Sequence, residues 1–206
     1  MSRRVTFLAA LVAVTVITLT GTLRSAGGTI SGTVKITGIA SGAEAVVYIQ
    51  EAPGTFPPGD PAVMNQHSSE FIPRVLPVVA GTTVKFLNGD PFAHNVFSPD
   101  FEKYDLGTWP QGQAKDYAFA ACAKPPCVYT QLCKIHPQMD AYIVVLQNPY
   151  FAVTDKEGRY EIDNVPPGGY TLTVWYSRRS RPYKAQPKPV TIEAGGPETV
   201  NFVLDR

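Results

Sequence analysis

Cys133-Lys134-Ile135-His136-Pro137-Gln138-Met139 sets a thiol, an imidazole and a thioether on one short stretch, spaced Cys-x₂-His-x₂-Met. A second imidazole, His94, stands upstream in Asp90-Pro91-Phe92-Ala93-His94-Asn95-Val96. One soft thiolate, two imidazoles and a thioether are the donors of a type 1 (blue) copper centre, a trigonal His₂Cys set with a weak, long axial Met. Taken singly, each residue has an ordinary explanation. A lone buried cysteine is a small core hydrophobe, and Met139 alone is a strand-end core residue. The joint spacing is what points to a metal. The expected ligands of one copper ion are therefore His94, Cys133, His136 and Met139, with Cys133 bound as the thiolate. Four protein donors leave no open coordination position, so the expected chemistry is single-electron transfer and the chain is not expected to be an enzyme.

Such a set has to be carried by a rigid scaffold, and the residues around it read as strands. Val128-Tyr-Thr-Gln-Leu-Cys133 brings the thiolate in, and Ala141-Tyr-Ile-Val-Val-Leu146 takes the chain away. A ligand loop between two adjacent strands is anchored at both ends, which a preset metal geometry requires. Asn88-Gly89-Asp90-Pro91 turns the chain so that His94 emerges at a sheet end. The 104–112 segment reads as a turn-rich aromatic connection and 114–120 as a further strand. Outside the N-terminus no long run has a 3.6-residue apolar period. Proline (19) and glycine (17) are plentiful, which suits many short strands joined by turns. With 18 Lys+Arg against 17 Asp+Glu, the chain lacks the basic excess of a nucleic-acid binder. The third histidine, His67, has no spacing relation to the other two and is expected to be a solvated strand residue. Arg178-Arg179-Ser180-Arg181 reads as a solvated basic face.

The N-terminus has the pattern of a targeting segment, with Arg3 and Arg4 before an apolar run over 5–19 and small residues at Ser25-Ala26-Gly27. Residues 1–26 are expected to act as a signal peptide for periplasmic or otherwise exported protein. Arg24 sits poorly for cleavage after Ala26, so an uncleaved membrane anchor stays open, and with it the one expected membrane contact. In an oxidising compartment the two cysteines outside the ligand loop, Cys122 and Cys127, are expected to form a disulfide. The competing reading makes Cys127 a second metal ligand.

Two resemblances cover most of the remaining chain. Phe71-Ile-Pro, Gly81-Thr-Thr-Val-Lys-Phe-Leu-Asn-Gly-Asp, His94-Asn-Val and Cys133-x₂-His136-Pro-x-Met139 together resemble a cupredoxin of the amicyanin/plastocyanin type over 61–148. Gly28-Thr-Ile-Ser-Gly-Thr-Val, with Thr154-Asp-Lys-Glu-Gly-Arg-Tyr and Val165-Pro-Pro-Gly-Gly-Tyr-Thr-Leu-Thr-Val, resembles the carboxypeptidase-regulatory-like β-sandwich. The implied fold class is all-β: a cupredoxin Greek-key β-sandwich plus a second, transthyretin- or carboxypeptidase-regulatory-like β-sandwich. The cupredoxin likeness also implies that Asn95 braces the ligand loop, donating its backbone N–H to the thiolate sulfur. It further implies a redox protein as partner, met through an apolar patch near His136, Pro137, Phe92 and Pro91.

Residues 28–51 supply too few strands to stand alone, whereas 149–206 supply about five more. The expectation is thus a discontinuous sandwich of 28–51 plus 149–206, with the copper domain inserted. The alternative pairs 28–51 with the copper domain. For function, the alternative to an electron carrier is a copper-binding or delivery protein, against which the chain offers only three Met and three His.

Overall fold

The computed structural model describes residues 26–205 apart from 43, 179, 180 and 184. Most of the targeting segment, and Arg179 and Ser180 of the basic run, lie outside the described residues. The described chain is all-β. Its strands are β1 (Gly28–Ile36), β2 (Val46–Ile49), β3 (Ala62–His67), β4 (Glu70–Ile72), β5 (Val75–Val79) and β6 (Thr83–Asn88). Next come β7 (His94–Phe97), β8 (Asp105–Trp109), β9 (Ala114–Ala118), β10 (Cys127–Leu132), β11 (Asp140–Leu146) and β12 (Phe151–Val153). The last are β13 (Arg159–Val165), β14 (Gly168–Arg178), β15 (Arg181–Tyr183), β16 (Lys188–Ile192), β17 (Pro197–Thr199) and β18 (Phe202–Leu204).

Four sheets stack face to face. One is β4-β3-β6-β9 and the next is β5-β11-β10-β7-β8. Met64, Phe71, Val84 and Phe86 of the first pack on Val96, Trp109, Tyr129, Ile143 and Val145 of the second, closing one β-sandwich. In the other sandwich β12-β2-β14, with β16 beside β14, faces β13-β1-β17, with β18 beside β1. Val47, Ile49, Leu172, Val174 and Val190 meet Ile30, Val34, Ile162, Phe202 and Leu204 there.

Residues 28–49 thus pair with the C-terminal strands. β1 runs antiparallel to β13 and parallel to β17 and β18, and β2 lies between β12 and β14. A third core joins the two sandwiches. Val46 and Tyr48 of β2 meet Val75, Tyr142, Val144 and Leu146, with Phe151 and Trp175 at its margin. This explains the unbroken apolar run of β11: alternate residues fill opposite cores, so neither face is left for solvent.

The 104–112 segment departs from its reading as a connection, since it contains β8. Asp105 and Gly107 break the apolar alternation that marks a strand, and only Trp109 of β8 is buried. At the pole of β10 opposite to Cys133, Cys122 and Cys127 form a disulfide, with Cys127 paired across to Val145.

Candidate metal centre

Strand pairing brings the donors to one sheet end. Leu132, the last residue of β10, pairs with Phe97 of β7, so Cys133 leaves β10 near the strand that begins with His94. His136 returns on a turn through Pro137 and Gln138, closed by Met139 N donating to His136 O at 3.0 Å. Proline at the second position of such a turn presets its backbone. Cys133 Sγ lies 3.9 Å from His94 Nδ1 and 3.8 Å from His136 Nδ1, and the two Nδ1 atoms are 3.0 Å apart. Bonds of about 2.0 Å to nitrogen and about 2.3 Å to sulfur in a trigonal plane place sulfur roughly 3.8 Å from each nitrogen. The sulfur–nitrogen edges therefore fit a bound first-row ion, while the nitrogen–nitrogen edge is tighter. His94, Cys133 and His136 are the group of potential metal-ligating side chains that converges among the described residues. Met139, 2 % exposed, is buried in the same core as Cys133.

The site is oriented from behind. His94 Nε2 lies 2.8 Å from Asp90 Oδ2. A carboxylate only accepts, so Nε2 carries the hydrogen and the Nδ1 lone pair of the neutral imidazole is left facing Cys133 and His136. That is the tautomer a metal needs. Burial works against ionisation of Asp90, but the Ser69 amide, His94 and the Ser68 amide outweigh it and hold its carboxyl below the usual value. Those amides belong to the β3–β4 hairpin tip, where Ser68 (φ 56°) and Ser69 (φ 55°) are both left-handed. Two such residues give the turn twist favoured in two-residue hairpins, at a cost that glycine or asparagine would lessen. Their N–H groups donate to Asp90 at 2.7 and 2.9 Å, which offsets that cost. Asn88, fully buried, ties down the intervening loop by donating to Phe92 O at 2.8 Å and Trp109 O at 3.0 Å.

On the sulfur side, Asn95 N donates to Cys133 Sγ at 3.4 Å, and Asn95 Oδ1 accepts from Lys134 N at 3.3 Å. Phe92 covers the rim, its ring centroid 5.1 Å from that of His94 and 5.4 Å from that of His136. His67 is exposed, as its solvated reading implies, yet it is not unrelated to the site. Its Nδ1 lies 3.5 Å from Asp90 Oδ1, on the other oxygen of the carboxylate that holds His94. The sequence alone does not single out Asp90, although an acid four residues before a candidate ligand histidine, in a turn, is a signal for it.

Residues 136–205 match the carboxypeptidase regulatory-like domain. The match to this regulatory-like domain runs through β11, whose hydrogen bonds lie in the metal-site sheet, and omits β1 and β2. No curated protein matches the chain. Among solved structures, a copper-containing nitrite reductase from Thermus scotoductus is 27% identical over 43% of this chain, with a TM-score of 0.39. The chain spans only 23% of that enzyme. A purple cupredoxin from Nitrosopumilus maritimus is 22% identical, covering 41% of this chain and 98% of its own, with a TM-score of 0.36. A reduced amicyanin variant is 21% identical, covering 48% of this chain and 97% of its own, with a TM-score of 0.38.

Proposed function

We propose that this protein is a type 1 copper protein that carries single electrons between redox partners in the periplasm or a comparable exported setting. The observation that carries the reading is the donor set itself: a buried sulfur and two imidazole nitrogens converge, with one imidazole held in the ligating tautomer by Asp90. His94, Cys133 and His136, with Met139 from the same core, would hold the ion. When bound, one copper ion in this set supplies reversible one-electron chemistry. The protein contributes fixed donors, a hydrogen bond to the sulfur, and burial that keeps water from the thiolate. Exposed Phe92 (44 %) and Ile135 (47 %) beside His136 form the apolar rim through which a transient redox partner would dock.

The Cys122–Cys127 disulfide supports an oxidising location. The strand pairings support a copper module inserted into the regulatory-like sandwich, entered after β2 and left before β12. On this reading the protein catalyses no reaction of its own.

The test adds Cu(II) to the purified protein and records visible absorption and electron paramagnetic resonance. The expected result is an intense thiolate-to-copper band that Cys133→Ser abolishes, with reversible one-electron reduction. A colourless site that retains only Cu(I) would overturn the carrier reading in favour of copper delivery.

A further inference from the structure

The hydrogen bonds behind Cys133 extend beyond Asn95. The backbone N–H of Asn95 donates to the sulfur, and the side-chain amide of the same residue is fixed on both sides. Oδ1 accepts from Lys134 N, while Nδ2 donates to Asp105 Oδ1 and to Gly107 O, each at 2.8 Å. Asp105 is tied in turn: Oδ1 also accepts from Gly107 N at 2.9 Å, and Oδ2 pairs with Lys134 Nζ. Asn95, Asp105 and Lys134 therefore close a ring, with Lys134 held at its backbone amide and at its ammonium.

β8 is shaped to make this ring. Its pairing with β7 shifts register between Asn95 and Phe97. Gly107, at φ +78°, takes the left-handed backbone there, and a Cβ added to it would meet nothing within 4 Å. Glycine thus serves the backbone conformation and not a close contact. An irregularity of this kind bends a strand and re-aims a side chain, and here it delivers the Asp105 carboxylate to the Asn95 amide.

We propose that Asp105 is a positioning residue for the metal centre: acting through Asn95, it aims the N–H donor at the Cys133 sulfur. The proposal rests on the copper reading above. A donor to a metal-bound thiolate stabilises charge on sulfur, and that charge is larger in the reduced state, so the donor raises the reduction potential. The negative charge of Asp105 acts oppositely by Coulomb repulsion. Aiming and charge therefore shift the potential with opposite signs, which separates them by experiment.

The test compares full-length Asp105→Asn and Asp105→Ala with the parent protein. Asparagine keeps an oxygen acceptor for Asn95 Nδ2 and Gly107 N without the charge, whereas alanine removes both. In voltammetry of the copper-loaded proteins, Asp105→Asn is expected to raise the potential, and Asp105→Ala to fall below Asp105→Asn. In the copper-free proteins, amide hydrogen exchange at Asn95 is expected to be about tenfold faster in Asp105→Ala, the loss of one ordinary hydrogen bond, and near the parent rate in Asp105→Asn. Equal potentials in the two variants, with parent-like exchange at Asn95, would overturn the proposal and leave a charge effect alone. Faster exchange that extends to the distant core amide of Phe86 would also overturn it, in favour of a merely structural role. If the parent protein binds copper without a thiolate band, the copper reading fails, while exchange in the copper-free proteins still reports on Asp105.

Discussion

Asp90 does two jobs with one carboxylate. It accepts from Ser68 and Ser69 at a left-handed hairpin tip, and it holds His94 by Nε2. Removing it leaves the Ser68 and Ser69 amides and one buried imidazole N–H without their acceptor. Asp90→Ala is therefore expected to weaken copper binding by about 10–100-fold, the usual loss when the partner of a ligand histidine is removed. Competition against a chelator of known affinity measures this, and an unchanged affinity would refute the assignment. Asp105 gives a pH dependence of definite sign. Lys134 first, then the Gly107 amide and Asn95, lower its carboxyl from the ordinary 3.8 to about 2. A carboxyl lowered on folding contributes stability that is present above its unfolded value and lost as pH falls through its folded one. The thermal midpoint of the copper-free protein should thus decline between roughly pH 4 and pH 2. In Asp105→Asn that decline should be shallower, and parallel curves for the two proteins would exclude the contribution.

Strands differ in how far their residues betray them. β10 and β11 are legible because a strand-forming segment, a three-donor motif and an apolar run follow one another directly, and chain connectivity alone places them side by side. The apolar 141–146 run of β11 and the apolar β2 read as buried strands, but which core each face fills follows only once a second sandwich is in place. β8 is illegible for the opposite reason. Asp105 and Gly107 serve Asn95 and the register shift instead of the core, so the strand has the composition of a loop. Local spacing groups candidate donors that share one loop, such as Cys133, His136 and Met139. Spacing offers only the i, i+4 hint for Asp90 and none for Asp105, whose partners Asn95 and Lys134 come from other segments of the chain. His67 shows the same limit: its exposure follows from its own segment, while its approach to Asp90 depends on where the 89–93 loop lands.

At the scale of the whole molecule, the four sheets enclose three cores in series, the middle one built from both sandwiches. Arg74 adds a polar bracket beside it, reaching Glu44 at 3.1 Å and Asp140, next to Met139, at 3.0 Å. Partly exposed ion pairs of this kind contribute little, so coupling between the sandwiches rests on the apolar contact of Val46, Tyr48, Val75, Tyr142, Val144 and Leu146. The chain also crosses between the sandwiches twice, after β2 and before β12, so neither can unfold without pulling on both connections. The intact protein is therefore expected to unfold in a single calorimetric transition. Val46 is fully buried and belongs to the middle core, so Val46→Asp would set an unpaired carboxylate against Tyr142 and Val144 without altering any residue of the metal-site sandwich. The expected result is two transitions, the earlier one from the sandwich that contains β2, with the thiolate-to-copper band retained until the later one. Two transitions in the parent protein, or one undivided transition in Val46→Asp, would show that the middle core does not join the sandwiches into one cooperative unit.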